Sequence, residues 1–397
     1  MDNKTSSADS LLYITDRPAL VFVEGQGSWL VDHTGKRYLD VMQGWAVNCL
    51  GHCHPSMIRA LDEQARRLIN PSPSFFNAPM LHLAGLLTSH SCFDRVFFAN
   101  SGAEANEGAV KLARRWGSKH KGGAYEIITF NGSFHGRTLT MMSASGKPGW
   151  DALFAPQVPG FPKAIFNDIH SVEQLIGRNT VAVMIEPVQG EGGVNVATLE
   201  FMRELRALTA AHELLLVVDE VQSGCGRTGS MFAYEQAQIE PDLMTLGKGI
   251  GGGVPLAALL CRSKFDCFNR GDQGGTYNGN PLITAVGCAV VGELLAPGFL
   301  DHVTVRSEQL KVGLLKLAAE FDFPGERGSG LLRALVMDRD LGAKIVVQAR
   351  ELQPEGLLIN SPQPHLLRFM PALNISAAEI NTTLDLLREA ISKVLSH

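Results

Sequence analysis

The sequence lacks a membrane span and a secretion signal. Its 397 residues contain no apolar run that approaches the roughly 18 residues needed to cross a bilayer. The first ten residues are polar, without the basic start and apolar stretch of a signal peptide. We therefore expect no membrane insertion and a cytoplasmic protein.

Excess positive charge and a regular cysteine framework are also missing. The net charge is −5, and no long basic run offers a surface to nucleic-acid phosphates. The seven cysteines are odd in number and scattered, which fits reduced thiols better than disulfides. Cys49, His52, Cys53 and His54 are dense potential metal ligands, but no second cluster at zinc-site spacing accompanies them. Neither a nucleic-acid partner nor a metal is expected.

What the sequence does contain is an alternation of apolar runs and helical spacing. Three short apolar runs, each followed by polar or glycine-rich residues, lie at 96–99, 181–185 and 214–218. Such runs are typical of strands buried on both faces of a parallel sheet, and helical spacing at 104–116 and 199–211 separates them. The pattern predicts an α/β domain with a ligand site beyond the carboxyl ends of the strands.

The flanking regions have a different pattern, and the length suggests two or three domains. Residues 18–41 alternate and turn, as in a small antiparallel hairpin. The C-terminal third combines amphipathic helices near 300–320, 341–353 and 376–395 with short strands near 331–336 and 365–369. We predict a large domain at 61–290, a small α+β domain at 291–397, and an N-terminal segment, 1–60, that contributes to the small domain.

Lys248 stands among glycines in the segment from Asp242 to Pro255, just after an apolar run. A lysine with close backbone approach and little solvent has a lowered pKa and can act as a Schiff-base nucleophile. A flexible surface loop is the competing interpretation. The glycines match G-x-G-x-x-G, but Pro255 interrupts the helix that a dinucleotide fold needs, and the lysine also fails the P-loop pattern.

Other segments favour a cofactor site. Asp219 ends the predicted strand at 214–218, where a carboxylate can keep a pyridine nitrogen protonated. Ser101 and Glu104 have capping-box spacing before a helix whose N–H groups can hold a phosphate. Each feature also has a purely structural interpretation, as a solvated strand end or an ordinary capped helix.

Phe134 and Arg137 follow another apolar stretch. An aromatic ring can stack on a cofactor, and a guanidinium can grip a carboxylate with two hydrogen bonds. Taken singly, Phe134 is better explained as a core residue.

Together these segments resemble a known family. NSGAEANE, FHGRT, EPVQGEGG, DEVQSGCGRTG, the lysine segment and TYNGNP occur in this order, and the similarity extends from Gly51 to Leu373. The sequence resembles the class III (ω-amino acid) aminotransferases of pyridoxal 5'-phosphate (PLP) fold type I, and within them the acetylornithine aminotransferase branch. This resemblance implies a mostly parallel central sheet in a large domain beside a smaller α+β domain.

The resemblance also implies a set of site residues. Lys248, which carries PLP as a Schiff base, and Asp219, which pairs with the ring nitrogen, are implied to be catalytic. The other implied cofactor ligands are Ser101, Gly102 and Ala103 for the phosphate, Phe134 stacked on the ring, Gln222 near the ring hydroxyl, and Thr276 donated by the neighbouring subunit of a homodimer. The implied substrate-binding residues are Arg137 for a carboxylate, Gly275, and Glu191 with Arg368 as a switch pair.

The implied reaction moves the terminal amine of N-acetylornithine to 2-oxoglutarate, in arginine biosynthesis. Trp45, residues 71–77 and Gly275 depart from the usual sequence of the branch at the expected substrate entrance. Succinylornithine, diaminopimelate, ornithine, 4-aminobutyrate and other ω-amines therefore remain alternative donors. A PLP-dependent racemase, mutase or decarboxylase, and a purely binding or structural protein, are the further alternatives.

Overall fold

A seven-stranded sheet forms the centre of the protein, whose computed structural model describes residues 10–396. In chain order its strands are β4 (Arg95–Ala99), β5 (Glu126–Phe130), β6 (Lys163–Ala164), β7 (Thr180–Ile185), β10 (Leu215–Asp219), β11 (Leu243–Leu246) and β12 (Ala257–Cys261). They are arranged β4-β12-β11-β10-β7-β5-β6. Only β12 runs against its neighbours, so the predicted mostly parallel sheet is confirmed.

Helices cover both faces of this sheet. In β10, Leu215 and Val217 pack with residues of α4 (Gly102–His120). Leu216 and Val218 pack with residues of α8 (Leu199–Ala211) on the other face. Every residue of β7 and β10 is buried, which explains why both strands are apolar except at one end, Thr180 in β7 and Asp219 in β10. The helices are α1 (Gln43–Ala46, with left-handed backbone), α2 (Pro55–Ala65), α3 (Ala78–Ser89), α4 (Gly102–His120), α5 (Leu139–Ala144), α6 (Trp150–Leu153), α7 (Ile169–Glu173), α8 (Leu199–Ala211), α9 (Pro281–Leu294), α10 (Phe299–Glu320), α11 (Gly342–Glu351) and α12 (Ala377–Leu395), with 3-10 turns at Ala233–Ala237, Lys248–Gly251 and Ser263–Phe265.

The N-terminal strands form a second sheet. β1 (Phe22–Gln26), β2 (Trp29–Asp32) and β3 (Arg37–Asp40) are antiparallel, so the predicted hairpin has a third strand. β15 (Gly356–Leu358) adds parallel to β3, which joins the N-terminal segment to the C-terminal third of the chain. The domain boundaries at 60 and 290 stay predictions.

A third sheet lies in the C-terminal third, in the order β13 (Gly325–Ser329), β14 (Leu332–Val336), β17 (Leu366–Phe369) and β16 (Asn360–Gln363). All its pairings are antiparallel. Arg327 lies opposite Ala334, Ala334 opposite Arg368, and Arg368 opposite Asn360. Residues paired in this way project from one face of a sheet. A short hairpin of β8 (Val188–Gln189) and β9 (Asn195–Val196) completes the strands.

Between residues 10 and 396, no single helix is long and apolar enough to cross a membrane. Helices α9 and α10 reach that length and composition only together, across a 71° bend. Residues 1–9 lie outside the described residues. They belong to the polar N-terminal segment for which the sequence predicts no signal peptide.

Candidate active site

The chemically important residues gather at the carboxyl edge of the central sheet. Asp219 is the last residue of β10. One residue separates Lys248 from the end of β11, and one separates Ser101, which caps α4, from the end of β4. Parallel strands end at a common edge, and this is where open α/β sheets bind their ligands. The fold therefore places Ser101 and Lys248, which are 147 positions apart in the sequence, at the same edge of the sheet.

Three donors and one further hydroxyl surround the buried carboxylate of Asp219. Its Oδ2 accepts hydrogen bonds from Asn106 Nδ2 at 2.8 Å and His135 Nδ1 at 2.7 Å, and its Oδ1 accepts one from the Val221 N–H at 3.0 Å and lies 3.5 Å from Thr245 Oγ1. The carboxylate is thereby fixed in direction although Asp219 is only 3% exposed.

Asn106 is itself held in place. Its amide donates a second hydrogen bond to the His135 carbonyl at 2.8 Å, and its Oδ1 accepts one from Thr245 Oγ1 at 2.6 Å. Asn106, His135 and Thr245 were not among the predicted site residues. The signal that could have found two of them is an isolated polar residue in an apolar setting, Asn106 on the buried face of α4 and Thr245 inside β11.

Lys248 is half-buried, and its backbone has a φ of +46°, in the left-handed region. Burial lowers the pKa of Lys248, against the opposing charge of Glu191, which is the direction that the sequence predicts. A non-glycine residue in this backbone region costs of order 1–3 kcal/mol, and such strain concentrates at functional sites. The segment is thus a tight structural turn, and the flexible-loop interpretation is wrong.

Two glycines lie close together beside Lys248, at the start of α4. A Cβ added to Gly247 would lie 3.3 Å from the backbone nitrogen of Gly102, and one added to Gly102 would lie 2.7 Å from a Val221 methyl group. Glycine at both positions leaves the first N–H groups of α4, which have no acceptor within the helix, open to an anion.

The cap of this helix differs in part from its prediction. Ser101 Oγ accepts a hydrogen bond from the Glu104 N–H at 3.3 Å, as expected. The Glu104 carboxylate, however, accepts from the N–H and the side chain of Asn100, at 2.8 Å and 3.0 Å, instead of from the Ser101 N–H. Half of the capping box is therefore formed.

Gln222 supplies polar atoms without a partner. The residue is 7% exposed, and neither its Nε2 nor its Oε1 forms a hydrogen bond to any residue between 10 and 396. Buried polar atoms are nearly always paired, so this amide indicates a place for a polar group of a ligand. Gly190 leaves room for it, because a Cβ there would overlap Gln222 Oε1.

The half-buried ring of Phe134 lies at an angle of 60° to Trp150, with centroids 5.6 Å apart. The Phe134 N–H donates to Glu186 Oε1 at 2.9 Å. Burial, and after it the nearby charge of Asp219, raises the pKa of Glu186 well above its usual range. Glu186 belongs to the quoted EPVQGEGG motif but was not predicted as a site residue. Burial therefore favours the protonated form of Glu186, beside the hydrogen-bonded carboxylate of Asp219.

Glu191 and Arg368 are in contact, with Glu191 Oε1 2.6 Å from an Arg368 terminal nitrogen. Arg368 is fully buried, and its Nε donates to Asn360 Oδ1 at 3.2 Å, whereas a third of the Glu191 side chain is exposed. Burial alone would raise the pKa of Glu191, but the charges of Arg368 and Lys248 outweigh it and lower the pKa. The lowered pKa favours the ionised acid, and Glu191 is the more exposed partner of the pair.

The other predicted substrate residues, and the predicted cofactor ligand Thr276, lie on the surface. Arg137 is exposed, with its guanidinium carbon 5.1 Å from the Trp150 ring centre, and it forms no salt bridge within the part of the chain that the structure describes. Gly275 and Thr276 are exposed on the segment before α9, where the Thr276 carbonyl accepts from Asn70 Nδ2 at 3.3 Å. Neither residue hydrogen-bonds to the cluster around Lys248.

A cleft of about 920 Å³ opens beside Phe134 and Glu191. Its walls include Lys147, Arg327 and His365, which gives it several basic groups.

The thiol of Cys49 donates to the Gly249 carbonyl at 3.1 Å, and all seven cysteines are free thiols. Among residues 10–396 no group of three or more His, Cys, Asp and Glu side chains is placed to hold a metal ion.

Comparisons with known proteins cover nearly the whole chain. Residues 14–391 match the sequence pattern of the family described as Aminotransferase class-III. The chain is 67% identical over 383 residues to the acetylornithine aminotransferase of Ralstonia nicotianae, covering 96% of both proteins. The N-acetylornithine aminotransferase of Stenotrophomonas maltophilia superposes with a TM-score of 0.84 at 36% identity, over 96% of this chain and 97% of that one. The ornithine aminotransferase of Toxoplasma gondii superposes with 0.92 at 30%, over 98% and 94%.

Proposed function

Because this chain belongs to the class-III aminotransferases, we propose that it transfers the terminal amine of N-acetylornithine to 2-oxoglutarate, giving the semialdehyde and glutamate. The family, the aminotransferase activity, PLP fold type I and the PLP cofactor, all predicted from sequence, are confirmed. The observation that carries the choice of donor is the 67% identity to an acetylornithine aminotransferase over almost the entire chain. Ornithine is the second candidate, since the Toxoplasma gondii ornithine enzyme shares the fold closely, but at only 30% identity.

The residues at the sheet edge fit PLP. Gln222 has an unpaired buried amide for the ring hydroxyl, and the glycine-lined start of α4, with Ser101, Gly102 and Ala103, has N–H groups for the phosphate. We assign the ring face to Phe134 and the ring nitrogen to Asp219. When bound, PLP supplies an electron-withdrawing ring conjugated to the amine-bearing carbon of the substrate.

Lys248 and Asp219 perform the proton chemistry in this proposal. With PLP bound, Lys248 would be the residue that holds the cofactor, and its free amine would take the proton from the amine-bearing carbon of the substrate. Its lowered pKa leaves more of the amine free to do so. Asp219, aimed by Asn106 and His135, keeps a proton on the ring nitrogen by charge proximity.

Two arginines then serve two substrate geometries. N-acetylornithine presents an amine far from its carboxylate, and the exposed guanidinium of Arg137, which has no acidic partner among residues 10–396, is suited to that carboxylate. Glutamate presents an amine beside its α-carboxylate, for which Arg368 is suited once Glu191 leaves it. The partly exposed Glu191 thus masks Arg368 during the donor half of the cycle.

The spectrum of the purified enzyme tests the reaction. The protein should be yellow, lose its long-wavelength band with N-acetylornithine, and regain it when 2-oxoglutarate is added. Ornithine and 4-aminobutyrate at equal concentration are the comparison donors, and we expect slower bleaching with both. Bleaching that no oxo acid reverses would instead favour a PLP enzyme other than a transaminase.

Replacing Glu191 tests the switch. Glu191→Ala removes the mask from Arg368, so we expect the ratio of kcat/KM for N-acetylornithine to that for glutamate to fall between about 10-fold and 100-fold, the range for losing a hydrogen bond between charged groups. Both donors react with the same form of the enzyme and can be followed by the same absorbance change. Glu308→Ala, which removes an exposed partner of Lys311, is the matched control. An unchanged ratio in Glu191→Ala would rule out the switch.

We also propose a homodimer, in which Thr276 completes the phosphate site of the neighbouring subunit. Large apolar side chains lie exposed near Asn70, which contacts the Thr276 carbonyl: Leu68, Ile69, Phe75 and Phe76, with Tyr277 next to Thr276 itself. Contiguous apolar surface of this kind is typical of protein interfaces. A cytoplasmic location and a role in arginine biosynthesis belong to the same proposal, and the free thiols are consistent with a reducing compartment.

A further inference from the structure

Glu191 lies at the tip of the β8/β9 hairpin, in a turn of residues 190–193. The Gly193 N–H donates to the Gly190 carbonyl at 3.4 Å, and Asn195 Nδ2 donates to the Gly192 carbonyl at 3.1 Å. On one side the turn lies against Gly132, whose carbonyl oxygen would be 2.4 Å from a Cβ added to Gly192. The backbone that carries Glu191 is therefore packed closely on this side.

Arg327 holds the other side of the turn. Its Nε donates to the Gly193 carbonyl at 2.8 Å, and a Cβ added to Gly193 would lie 2.9 Å from an Arg327 terminal nitrogen. Gly193 has a φ of +115°, so both its conformation and this close approach require glycine. The contact joins β13 of the C-terminal sheet to the hairpin tip.

The same face of the C-terminal sheet supplies both arginines that touch the turn. Arg327 and Arg368 are both paired with Ala334, from opposite sides, so their side chains project together with one small residue between them. Arg368 binds the carboxylate of Glu191, and Arg327 binds the main chain two residues later.

Stability alone does not account for Arg327. Burial lowers the pKa of this half-buried guanidinium, and over residues 10–396 it has no acidic partner. Its one hydrogen bond goes to a neutral carbonyl. A charge that is partly buried without a counter-ion is costly, which favours a positional role over a stabilising one.

We propose that Arg327 is a positioning residue for Glu191. It holds the backbone of the turn against the sheet that carries Arg368, so that Glu191 leaves and returns to Arg368 by rotation of its side chain while the turn stays in place. This inference rests on the switch role of Glu191 in the proposed function.

The test uses the holoenzyme and the ratio of kcat/KM for N-acetylornithine to that for glutamate. Arg327→Met removes the donor but keeps the length of the side chain. We expect the ratio to fall about tenfold, as for the loss of one hydrogen bond from a charged group. Arg327→Lys keeps an N–H donor and should restore part of the ratio. In the matched control Arg333→Lys, on the opposite face of the same sheet, the charge beside Glu326 is kept and the ratio should not change.

A double variant separates positioning from direct substrate binding. In a Glu191→Ala background there is no carboxylate to position, so Arg327→Met should leave the ratio at the value for Glu191→Ala alone. A further fall of the same size in that background would overturn the inference, because Arg327 would then act on the substrate itself. Equal losses with both donors in Arg327→Met, together with a lower Tm, would also overturn it and indicate a structural role.

The failure of this inference is distinguishable from the failure of the switch. If Glu191→Ala shifts the ratio and Arg327→Met does not, only the role of Arg327 is wrong. If Glu191→Ala itself leaves the ratio unchanged, the switch is wrong, and the role of Arg327 is overturned with it.

Discussion

Replacement of Lys248 by alanine is expected to lower kcat at least about 10⁴-fold, the upper range for loss of a general acid–base group. Lys248 is a half-buried amine with a lowered pKa, and Ala supplies neither a nucleophile nor a base. The measurement is single-turnover bleaching of the PLP-loaded variant by N-acetylornithine. Since the phosphate and ring contacts come from other residues, the variant should still bind PLP, without the absorbance of a covalent lysine adduct.

Two controls show whether the loss is chemical. Lys264→Ala removes a lysine from the 3-10 turn Ser263–Phe265 and should leave kcat unchanged. Adding a small primary amine to Lys248→Ala should return part of the activity, because the amine can take over the proton transfer. A variant that keeps kcat within tenfold of the parent enzyme would contradict the assignment of Lys248.

Replacement of Asp219 by asparagine is expected to lower kcat about 10³-fold, as for loss of a fixed electrostatic group in an active site. The amide carries no charge to hold a proton on the ring nitrogen. It also turns its NH₂ group toward His135 or Asn106, both of which donate to the carboxylate in the parent enzyme. The quantity to measure is kcat with saturating N-acetylornithine and 2-oxoglutarate.

The matched control for this variant is Asp242→Asn. Asp242 is equally buried and precedes the neighbouring strand β11, but its carboxylate pairs with Arg206 and with the Leu216 N–H, away from the site. We expect a lower Tm with kcat within a few-fold of the parent value. If Asp219→Asn behaved like this control, Asp219 would be a structural residue only.

The parts of the fold that depend on local pattern were predictable from the sequence. The run at 181–185 omits only the first residue of β7, and the run at 214–218 is shifted by one residue from β10, because strands covered on both faces are apolar along most of their length. The antiparallel direction of β12 was not predicted. Its sequence, AALLC, is as apolar as that of a parallel strand, and only its long-range pairing with β4 and β11 sets the direction.

The candidate site divides in the same way. Asp219 and Lys248 were predictable since each follows an apolar run, and the order of the motifs supplied Gln222 and Glu191. Asn106 has a weaker signal: the sequence shows an isolated polar residue on the apolar face of a helix, but not which carboxylate it meets across the sheet.

Under the proposed switch, the pairing of Ala334 with both Arg327 and Arg368 links substrate choice to the assembly of the C-terminal sheet. Side chains alternate along a strand, so a slip of one residue in β13 or β17 would turn one arginine to the opposite face. Mutations that loosen this sheet, even ones far from Lys248, would therefore change which amine the enzyme prefers before they abolish its activity. Such mutations would change the donor preference of the enzyme without replacing Lys248 or Asp219.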